Sequence, residues 1–276
     1  MSLRRSLVHT TLNLSRARSA TSTSSGHLCL QSKKRYFGIS SVRMSSTNPN
    51  PTQVEPQEPT PADVDTYLTS KILHPAYGND PTLNEGLTRA RENDLPEIQV
   101  SPLQGQFLSV LVRSIGAERV LEIGTLGGYS TTFLSKSLPP HGQIDTLELS
   151  PHHAKVAQEN FLASDLYPFP RIHIGPGLDT LKKLKVPEEG PYDFVFIDAN
   201  KDQIKDYFIE SLRLVRKGGV VVVDNAIRRG KIHPDSIADP SRDVQGLRAL
   251  YDWIEQDNGK TVLSSGVQTV GSKGWE

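Results

Sequence analysis

The chain has 276 residues, a formal net charge of zero and a single cysteine, Cys29. Residues 1–54 contain eight of the 31 basic residues and no acid, so the remaining body carries 23 basic and 31 acidic residues, a formal charge of −8. An acidic body argues against nucleic acid or an anionic membrane as the main partner. Without a cysteine, that body forms no disulfide and no thiolate metal site. No run of 18 apolar residues occurs, so we expect no transmembrane helix.

The basic leader is rich in Arg and Ser, the composition of a mitochondrial transit peptide. We predict such a peptide at residues 1–44. The alternative is that translation starts at Met44, which would leave the protein in the cytoplasm. Residues 45–60 are polar and proline-rich, which predicts a disordered linker. The length of residues 61–276 fits one domain.

Three helices are predicted before any strand. The first starts at Thr60-Pro61, the second spans residues 81–93, and the third starts at Ser101, with Gln104 placed for a capping box. Apolar residues recur at helical spacing, which gives the first helix an apolar face and predicts the inner side of the third. These residues are Val64, Tyr67, Leu68 and Ile72 in the first helix, and Phe107, Leu108, Leu111, Val112 and Ile115 in the third.

Beyond residue 118 predicted strands alternate with helices. The strands are 119–123, 143–147, 171–174, 192–197 and 219–223, with a last edge strand at 261–270. The helices are 130–138, 151–164, 178–184, 203–215 and 241–256. This alternation predicts an α/β fold with a Rossmann-like, doubly wound, mostly parallel sheet and helices on both faces. The runs 194–197 and 220–223 are continuously apolar, as strands buried on both faces should be.

The first strand ends in Glu122 and runs into a turn that contains Gly124, Gly127 and Gly128. The carboxyl ends of parallel strands meet along one edge, where ligands bind. Glycine lets the backbone pass close to a ligand, although it equally permits a tight turn with no ligand. The spacing is not Gly-x-Gly-x-x-Gly, so a pyrophosphate cradle is disfavoured.

The second strand ends in Glu148, 24 residues after Gly124. An acid at this place can accept both hydroxyls of a ribose. The alternative is an acid exposed at a strand end without a ligand.

Two later strands end in Asp198 and in Asp224-Asn225. Their side chains offer three hard oxygen donors, suited to Mg²⁺ or Ca²⁺. Alternatively, Asp198 caps a helix and Asp224-Asn225 forms a turn. Lys201 stands at a helix start, where the helix dipole disfavours a cation, and a nearby divalent ion would add to that effect. Both favour a neutral amine that acts as a base, the alternative being a solvated surface lysine.

These motifs occur in the order of a known family. From Ser101-Pro102-Leu103-Gln104 to about Val270, the chain resembles the class I S-adenosylmethionine-dependent O-methyltransferases, and within them the cation-dependent caffeoyl-CoA and catechol O-methyltransferase group. The resemblance implies S-adenosylmethionine and Mg²⁺, or another divalent cation, as cofactors. It places Ser101, Glu122, Gly124, Ser130, Glu148, Pro176, Gly177 and Asp198 at S-adenosylmethionine. It implies Asp198, Asp224 and Asn225 as metal ligands, and Lys201 as the catalytic base beside Asp198.

The activity implied is methyl transfer to a hydroxyl of a catechol-like or other vicinal-diol aromatic small molecule. A phenolic substrate and a homodimer are expected, with no nucleic acid or membrane partner. Where a catechol-type enzyme has a serine, this chain has Gly177. Where plant members have a tryptophan, it has Ile227-Arg228-Arg229, which predicts a missing aromatic wall or an anionic substrate. The family ends in an antiparallel strand that this chain, ending at Glu276, lacks, so we expect an unfilled place in the sheet.

Two other classes of function remain open from the sequence. One is a non-catalytic, methyltransferase-like binding protein, inactive because the final strand is missing. The other is an NAD-dependent dehydrogenase, which shares the fold and Glu148. It lacks the pyrophosphate glycines, and its one Tyr-x-x-x-Lys motif, Tyr67 to Lys71, precedes the sheet.

Overall fold

A computed structural model of the chain describes residues 58–186, 190–235, 241–271 and 274–275. The predicted transit peptide and most of the predicted linker lie outside these residues, and both stay predictions. Within the described ranges, no helix has the length and apolar character needed to cross a membrane.

Helices precede the sheet, as predicted. They are α1 (Pro61–Ile72), α2 (Pro75–Gly78), α3 (Pro81–Glu92) and α4 (Pro102–Ser114). Each starts with a proline, whose fixed φ suits the first helical turn. The capping boxes of Thr60 with Asp63 and of Ser101 with Gln104 are both formed. The short helix α2 was not predicted.

The apolar face predicted for α1 is not buried, because the described chain places little against it. Its four apolar residues are between 38% and 62% exposed. On α4, Leu108 and Val112 are buried as predicted, whereas Phe107 is 57% exposed. Helical spacing therefore identified an apolar face correctly but did not show what covers it.

The central sheet has five parallel strands in the order β3-β2-β1-β4-β5. They are β1 (Arg119–Ile123), β2 (Gln143–Glu148), β3 (Arg171–Ile174), β4 (Tyr192–Ile197) and β5 (Val215–Val223). The connecting helices are α5 (Tyr129–Ser135), α6 (Pro151–Ala163), α7 (Gly177–Lys183) and α8 (Ile204–Leu214), and α9 (Arg242–Asp257) follows β5. The predicted doubly wound α/β fold is confirmed.

Successive side chains of the strands point alternately into two apolar layers, one on each face of the sheet. Val120, Phe194 and Phe196 face the layer that contains α4, while Leu121 and Ile197 face the layer that contains α8 and α9. Both layers are buried, as a parallel sheet requires. The chain order reverses between β1 and β4, which makes their carboxyl ends the expected position of a ligand site.

Two predictions for the carboxyl-terminal part are wrong. Valines 220–223 are only half-buried, because β5 pairs only with β4 among the described residues and so forms an edge of the five-stranded sheet. Residues 261–269 form no strand, and Val270–Gly271 (β6) instead pairs with Gly274–Trp275 (β7) in a separate antiparallel ladder. Leu263 in this segment is fully exposed, so a strand-like composition alone did not create a pairing partner.

Candidate active site

A cleft of about 760 Å³ lies at the carboxyl ends of the strands, a volume typical of small-molecule sites. Most of the predicted site residues line it, namely Gly124, Ser130, Glu148, Pro176, Gly177, Asp198, Lys201 and Asn225. Three predicted residues, Ser101, Glu122 and Asp224, are not part of that lining. Topology therefore brings together residues that lie up to 101 positions apart in the chain, from Gly124 to Asn225.

The glycine turn is required by internal packing. Gly124 has φ +102°, and a Cβ there would lie 2.0 Å from the carbonyl oxygen of Asp198. Gly128 has φ +80°, and a Cβ there would lie 2.3 Å from the Phe161 ring. Left-handed backbone and close approach both demand glycine. The tight-turn interpretation is thus correct, and it is compatible with a ligand because Gly124 also lines the cleft.

Glu148 is buried and holds the glycine turn in place. Its Oε2 accepts hydrogen bonds from the backbone N–H groups of Thr125 (3.2 Å) and Leu126 (2.8 Å), and its Oε1 accepts one from Ser150 (2.9 Å). An ionised carboxylate offers about four acceptor sites. Backbone N–H groups use three of them, and about one remains on Oε1 for a ligand hydroxyl, next to His153 Nδ1 at 3.5 Å.

Glu122 is fully buried behind the cleft, within a cage of hydroxyl groups. Its Oε1 accepts a hydrogen bond from Ser130 Oγ (2.6 Å), and its Oε2 accepts from Thr146 Oγ1 (2.6 Å) and from Thr131. Burial raises the pKa of Glu122 to about 7, although the three hydroxyl donors lower it in part. The Glu122 carboxyl group does not line the cleft. It holds the hydroxyl group of Ser130, which does line the cleft.

Ser101 has a local role at the start of α4. Its side chain accepts a hydrogen bond from the backbone N–H of Gln104 at 3.3 Å, and its own N–H donates to Gln104 Oε1 at 2.7 Å. The neighbouring Val100, rather than Ser101, lines the cleft. Ser101 is thus adjacent to the cleft lining in the chain without being part of it, and its role at the cofactor stays a prediction.

Lys201 is a buried amine at the cleft. It lies in a single 3₁₀ turn, Lys201–Gln203, that precedes α8, and it is only 4% exposed. Its Nζ donates a hydrogen bond to Asp198 Oδ1 at 3.0 Å. The interpretation of Lys201 as a solvated surface lysine is therefore wrong. Asp198 is more open, with 26% of its side chain exposed.

Asp198 and Asp224 follow paired residues of neighbouring strands. Ile197 of β4 pairs in register with Val223 of β5, so the two aspartates start side by side. Asn225 has φ +51°, a left-handed conformation that Asn adopts more readily than most residues. A turn at Asp224-Asn225 is thus compatible with the predicted set of three oxygen donors. No group of three or more His, Cys, Asp or Glu side chains suited to a metal occurs among the described residues; the predicted set has two carboxylates and one amide.

Sequence analysis missed a polar cluster on the cleft wall. The Tyr207 hydroxyl lies 2.7 Å from Asn200 Oδ1 and 3.0 Å from Gln203 Oε1. Burial, with the charge of Asp202 second, raises the pKa of Tyr207, so it stays a hydroxyl donor. A Cβ at Gly177 would lie 3.2 Å from the Tyr207 ring, so a larger residue there would require the ring to shift. In the sequence Tyr207 was indistinguishable from a core position of α8.

An ion pair stands at the end of the cleft nearest β5. Arg228 contacts the Asp243 carboxylate, and both residues line the cleft. Sequence analysis singled out Arg228 because plant members of the resembled group have a tryptophan in this region. It offered nothing that pointed to Asp243 as its partner, because that residue comes 15 positions later on α9.

Known proteins resemble this chain over most of its length. The sequence profile of a family described as O-methyltransferase matches residues 74–267. The catechol O-methyltransferase of Mycobacterium tuberculosis is 42% identical over 220 residues, covering 80% of this chain and 94% of that protein. The O-methyltransferase from Bacillus cereus, solved in complex with S-adenosylhomocysteine (SAH), has a TM-score of 0.72 and 38% identity, covering 78% of this chain and 94% of that one. TomG from Streptomyces achromogenes, an O-methyltransferase solved with S-adenosylmethionine (SAM), has a TM-score of 0.70 and 37% identity, covering 78% and 93%.

Proposed function

Because the chain belongs to the O-methyltransferase family, we propose that it transfers the methyl group of SAM to a hydroxyl of a catechol-like acceptor with the help of a divalent cation. SAM-dependent O-methyl transfer is the activity of its relatives and rests on that membership. The observation that carries the finer proposal is the buried Lys201 amine, 3.0 Å from Asp198 in the same cleft. Neither the dehydrogenase nor the non-catalytic alternative gains support from the structure.

The β1–β2 side of the cleft suits the cofactor. When Glu122 is ionised, it takes the hydroxyl hydrogen of Ser130 at 2.6 Å, which leaves the lone pairs of that hydroxyl for a donor in the cleft. Glu148 keeps about one acceptor site on Oε1, beside His153 Nδ1 at 3.5 Å. A ribose hydroxyl and an ammonium group are donors of the kind that these two positions accept, and SAM carries both.

The β4–β5 side suits a hard cation. Asp198, Asp224 and Asn225 would hold it with three oxygen donors, the ligand type that Mg²⁺ prefers. The strand register that sets the two aspartates side by side supports this proposal. When bound, such an ion supplies Lewis-acid stabilisation of a phenolate oxygen.

Lys201 would take the proton. In its neutral form, the Nζ accepts the proton of the acceptor hydroxyl, and burial at 4% exposure keeps water from competing for it. The acceptor oxygen then attacks the sulfonium methyl, so that an O–CH₃ bond forms while the S–CH₃ bond breaks and SAH leaves. Alignment of two bound reactants can lower such a barrier by roughly 7–11 kcal/mol in favourable cases.

The acceptor class rests on the family and on the charge at the cleft. The relative from Mycobacterium tuberculosis is named for catechol, and a catechol has the vicinal oxygens that the proposal requires. Arg228 lies in the cleft three residues after Asn225 and is paired there with Asp243; it would favour an acceptor whose carboxylate replaces Asp243 as its partner. Caffeic acid combines both features and is therefore the first acceptor to test.

We also propose a homodimer, as the family resemblance predicts. The exposed apolar residues of α1 and α4, such as Tyr67, Ile72 and Phe107, are surface that a second copy would remove from water. Light scattering coupled to gel filtration measures the mass directly, and a monomer at micromolar concentration would contradict this proposal.

Calorimetric titration of SAH into the full chain, followed by methyl transfer to caffeic acid with Mg²⁺ or with EDTA, tests the function. We expect SAH binding, turnover with Mg²⁺ and loss of turnover with EDTA. Binding with turnover that EDTA does not affect would refute the cation while leaving the methyltransferase. A folded protein that does not bind SAH would refute both.

A further inference from the structure

Helix α9 contacts both loops that carry the proposed chemistry, although it contributes no predicted site residue. One loop is the 3₁₀ turn with Lys201, and the other is the segment 224–233 after β5. The contacting residues are Asp243, Gly246, Arg248 and Tyr251, while Leu247 and Leu250 beside them are buried in the core.

Gly246 lets α9 approach the main chain of Lys201. A Cβ at this position would lie 2.0 Å from the Lys201 carbonyl oxygen and 2.9 Å from the Cα of Asp202. Both are backbone atoms, which cannot yield as a flexible side chain can. Any residue larger than glycine must therefore move either α9 or the turn that carries the Lys201 amine.

Polar side chains of α9 hold the second loop by its carbonyl groups. The Tyr251 hydroxyl donates to the carbonyl of Ala226 at 2.7 Å, directly after Asn225. Arg248 donates through Nε to the carbonyl of Ile232 at 3.1 Å and through a terminal nitrogen to that of His233 at 2.9 Å. The Asp243 carboxylate adds the ion pair with Arg228 on the same loop.

We propose that α9 is a clamp that sets the distance between the Lys201 amine and the Asp224-Asn225 donor turn, with Gly246 and Tyr251 as its positioning residues. Neither touches the cleft, so both act through the residues that do. The inference rests on the proposed function, because it concerns the geometry of that same site. It adds that the reaction depends on a helix that contributes none of the proposed metal ligands, cofactor residues or catalytic base.

The first test is Gly246→Ala, with Gly266→Ala as the matched control, since nothing lies within 4 Å of a Cβ at Gly266. Displacing a catalytic group by about 1 Å can cost about 100-fold in rate. We expect Gly246→Ala to lower kcat by up to about 100-fold, to change the pH profile of kcat and to leave the SAH dissociation constant unchanged. A wild-type kcat and pH profile in the folded variant would overturn the role of Gly246.

The second test is Tyr251→Phe, which removes one hydroxyl and little volume, so that it probes the clamp even if Gly246→Ala does not fold. Exposed Tyr167→Phe is its control. Loss of an outer hydrogen bond to a metal site typically weakens metal affinity by about 10-fold or more. We expect Mn²⁺, titrated by calorimetry in the absence of acceptor, to bind about 10-fold more weakly to Tyr251→Phe, with SAH binding unchanged.

The wild type separates failure of the clamp from failure of the function. If wild type binds Mn²⁺ and Tyr251→Phe binds it equally well, the role of Tyr251 is wrong and the proposed function stands. If wild type binds SAH but neither binds Mn²⁺ nor turns over caffeic acid, the proposed function fails and the clamp fails with it. Equal loss of SAH and Mn²⁺ binding in the variant would indicate general unfolding and contradict a specific positioning role.

Discussion

The two sides of the cleft are built in different ways. On the β1–β2 side, two buried carboxylates of the sheet, Glu122 and Glu148, accept six hydrogen bonds from residues 125–150. On the β4–β5 side, the Lys201 turn and the loop 224–233 are held by α9, through the close approach of Gly246 and the side chains of Arg248 and Tyr251. The cofactor side is thus organised by buried carboxylates at the strand ends, and the acceptor side by a helix packed against two loops. We expect mutations on the first side to act on stability and cofactor affinity, and those on the second to act on catalysis.

Replacing Lys201 should produce the largest effect and should fall on catalysis alone. Lys201→Met keeps the length of a buried side chain and removes the amine. Loss of a general base costs about 100- to 10,000-fold in rate, so we expect kcat to fall by about 1,000-fold with SAH binding retained. Time-course assays of caffeate methylation measure kcat. Activity within a few-fold of wild type would show that another group takes the proton.

The ionisation of Glu122 should make the free energy of unfolding depend on pH. Its pKa in the folded protein, about 7, lies above the ordinary value of 4.5, so between these values the folded protein binds more protons than the unfolded chain. The free energy of unfolding therefore decreases as pH rises through this window, by up to about 3 kcal/mol in total. Glu122→Gln removes the titrating group and should flatten that part of the curve.

Urea unfolding at intervals from pH 4.5 to 8, with EDTA present, measures this slope for both proteins. Because other groups also titrate, the quantity to compare is the difference between wild type and Glu122→Gln at each pH. Parallel curves for the two proteins would show that Glu122 does not carry the pH dependence.

Glu148 should combine a moderate loss of stability with a loss of affinity. In Glu148→Gln, one of the two side-chain oxygens becomes an NH₂ group, which cannot accept from the backbone of the glycine turn. An unsatisfied buried N–H costs about 1–3 kcal/mol. We expect that loss in thermal or urea unfolding, together with weaker SAH binding by calorimetry. Unchanged unfolding with weaker binding would mean that Glu148 serves the ligand and not the turn.

Arg228 should show the smallest effect, confined to the choice of acceptor. Arg228→Met removes a half-exposed charge, and such charges contribute at most about 1 kcal/mol, or about fivefold. We expect the ratio of kcat/KM for caffeate over that for catechol to fall by up to about fivefold. Exposed Arg229→Met is the control. An equal change in both variants, or no change in the ratio, would exclude Arg228 as a determinant of the acceptor.

The amino-acid sequence by itself determined the α/β architecture and the set of residues at the sheet edge. Strand and helix periods, proline at helix starts and capping pairs such as Ser101 with Gln104 are local, so they can be recognised without tertiary information. Because carboxyl ends of parallel strands meet, Glu148, Asp198 and Asp224 could be placed together in advance. The resemblance to a family then added roles that no local pattern contains.

Only the tertiary structure decided burial and the partners of each group. It showed Lys201 to be buried, Ser101 to be a helix cap outside the cleft lining, the apolar face of α1 to be exposed, and residues 261–269 to form no strand. It also revealed the contact of Gly246 with Lys201. The physical reason is that distances between residues remote in the chain depend on how whole elements pack, and one-dimensional periodicity specifies a face but not its neighbour.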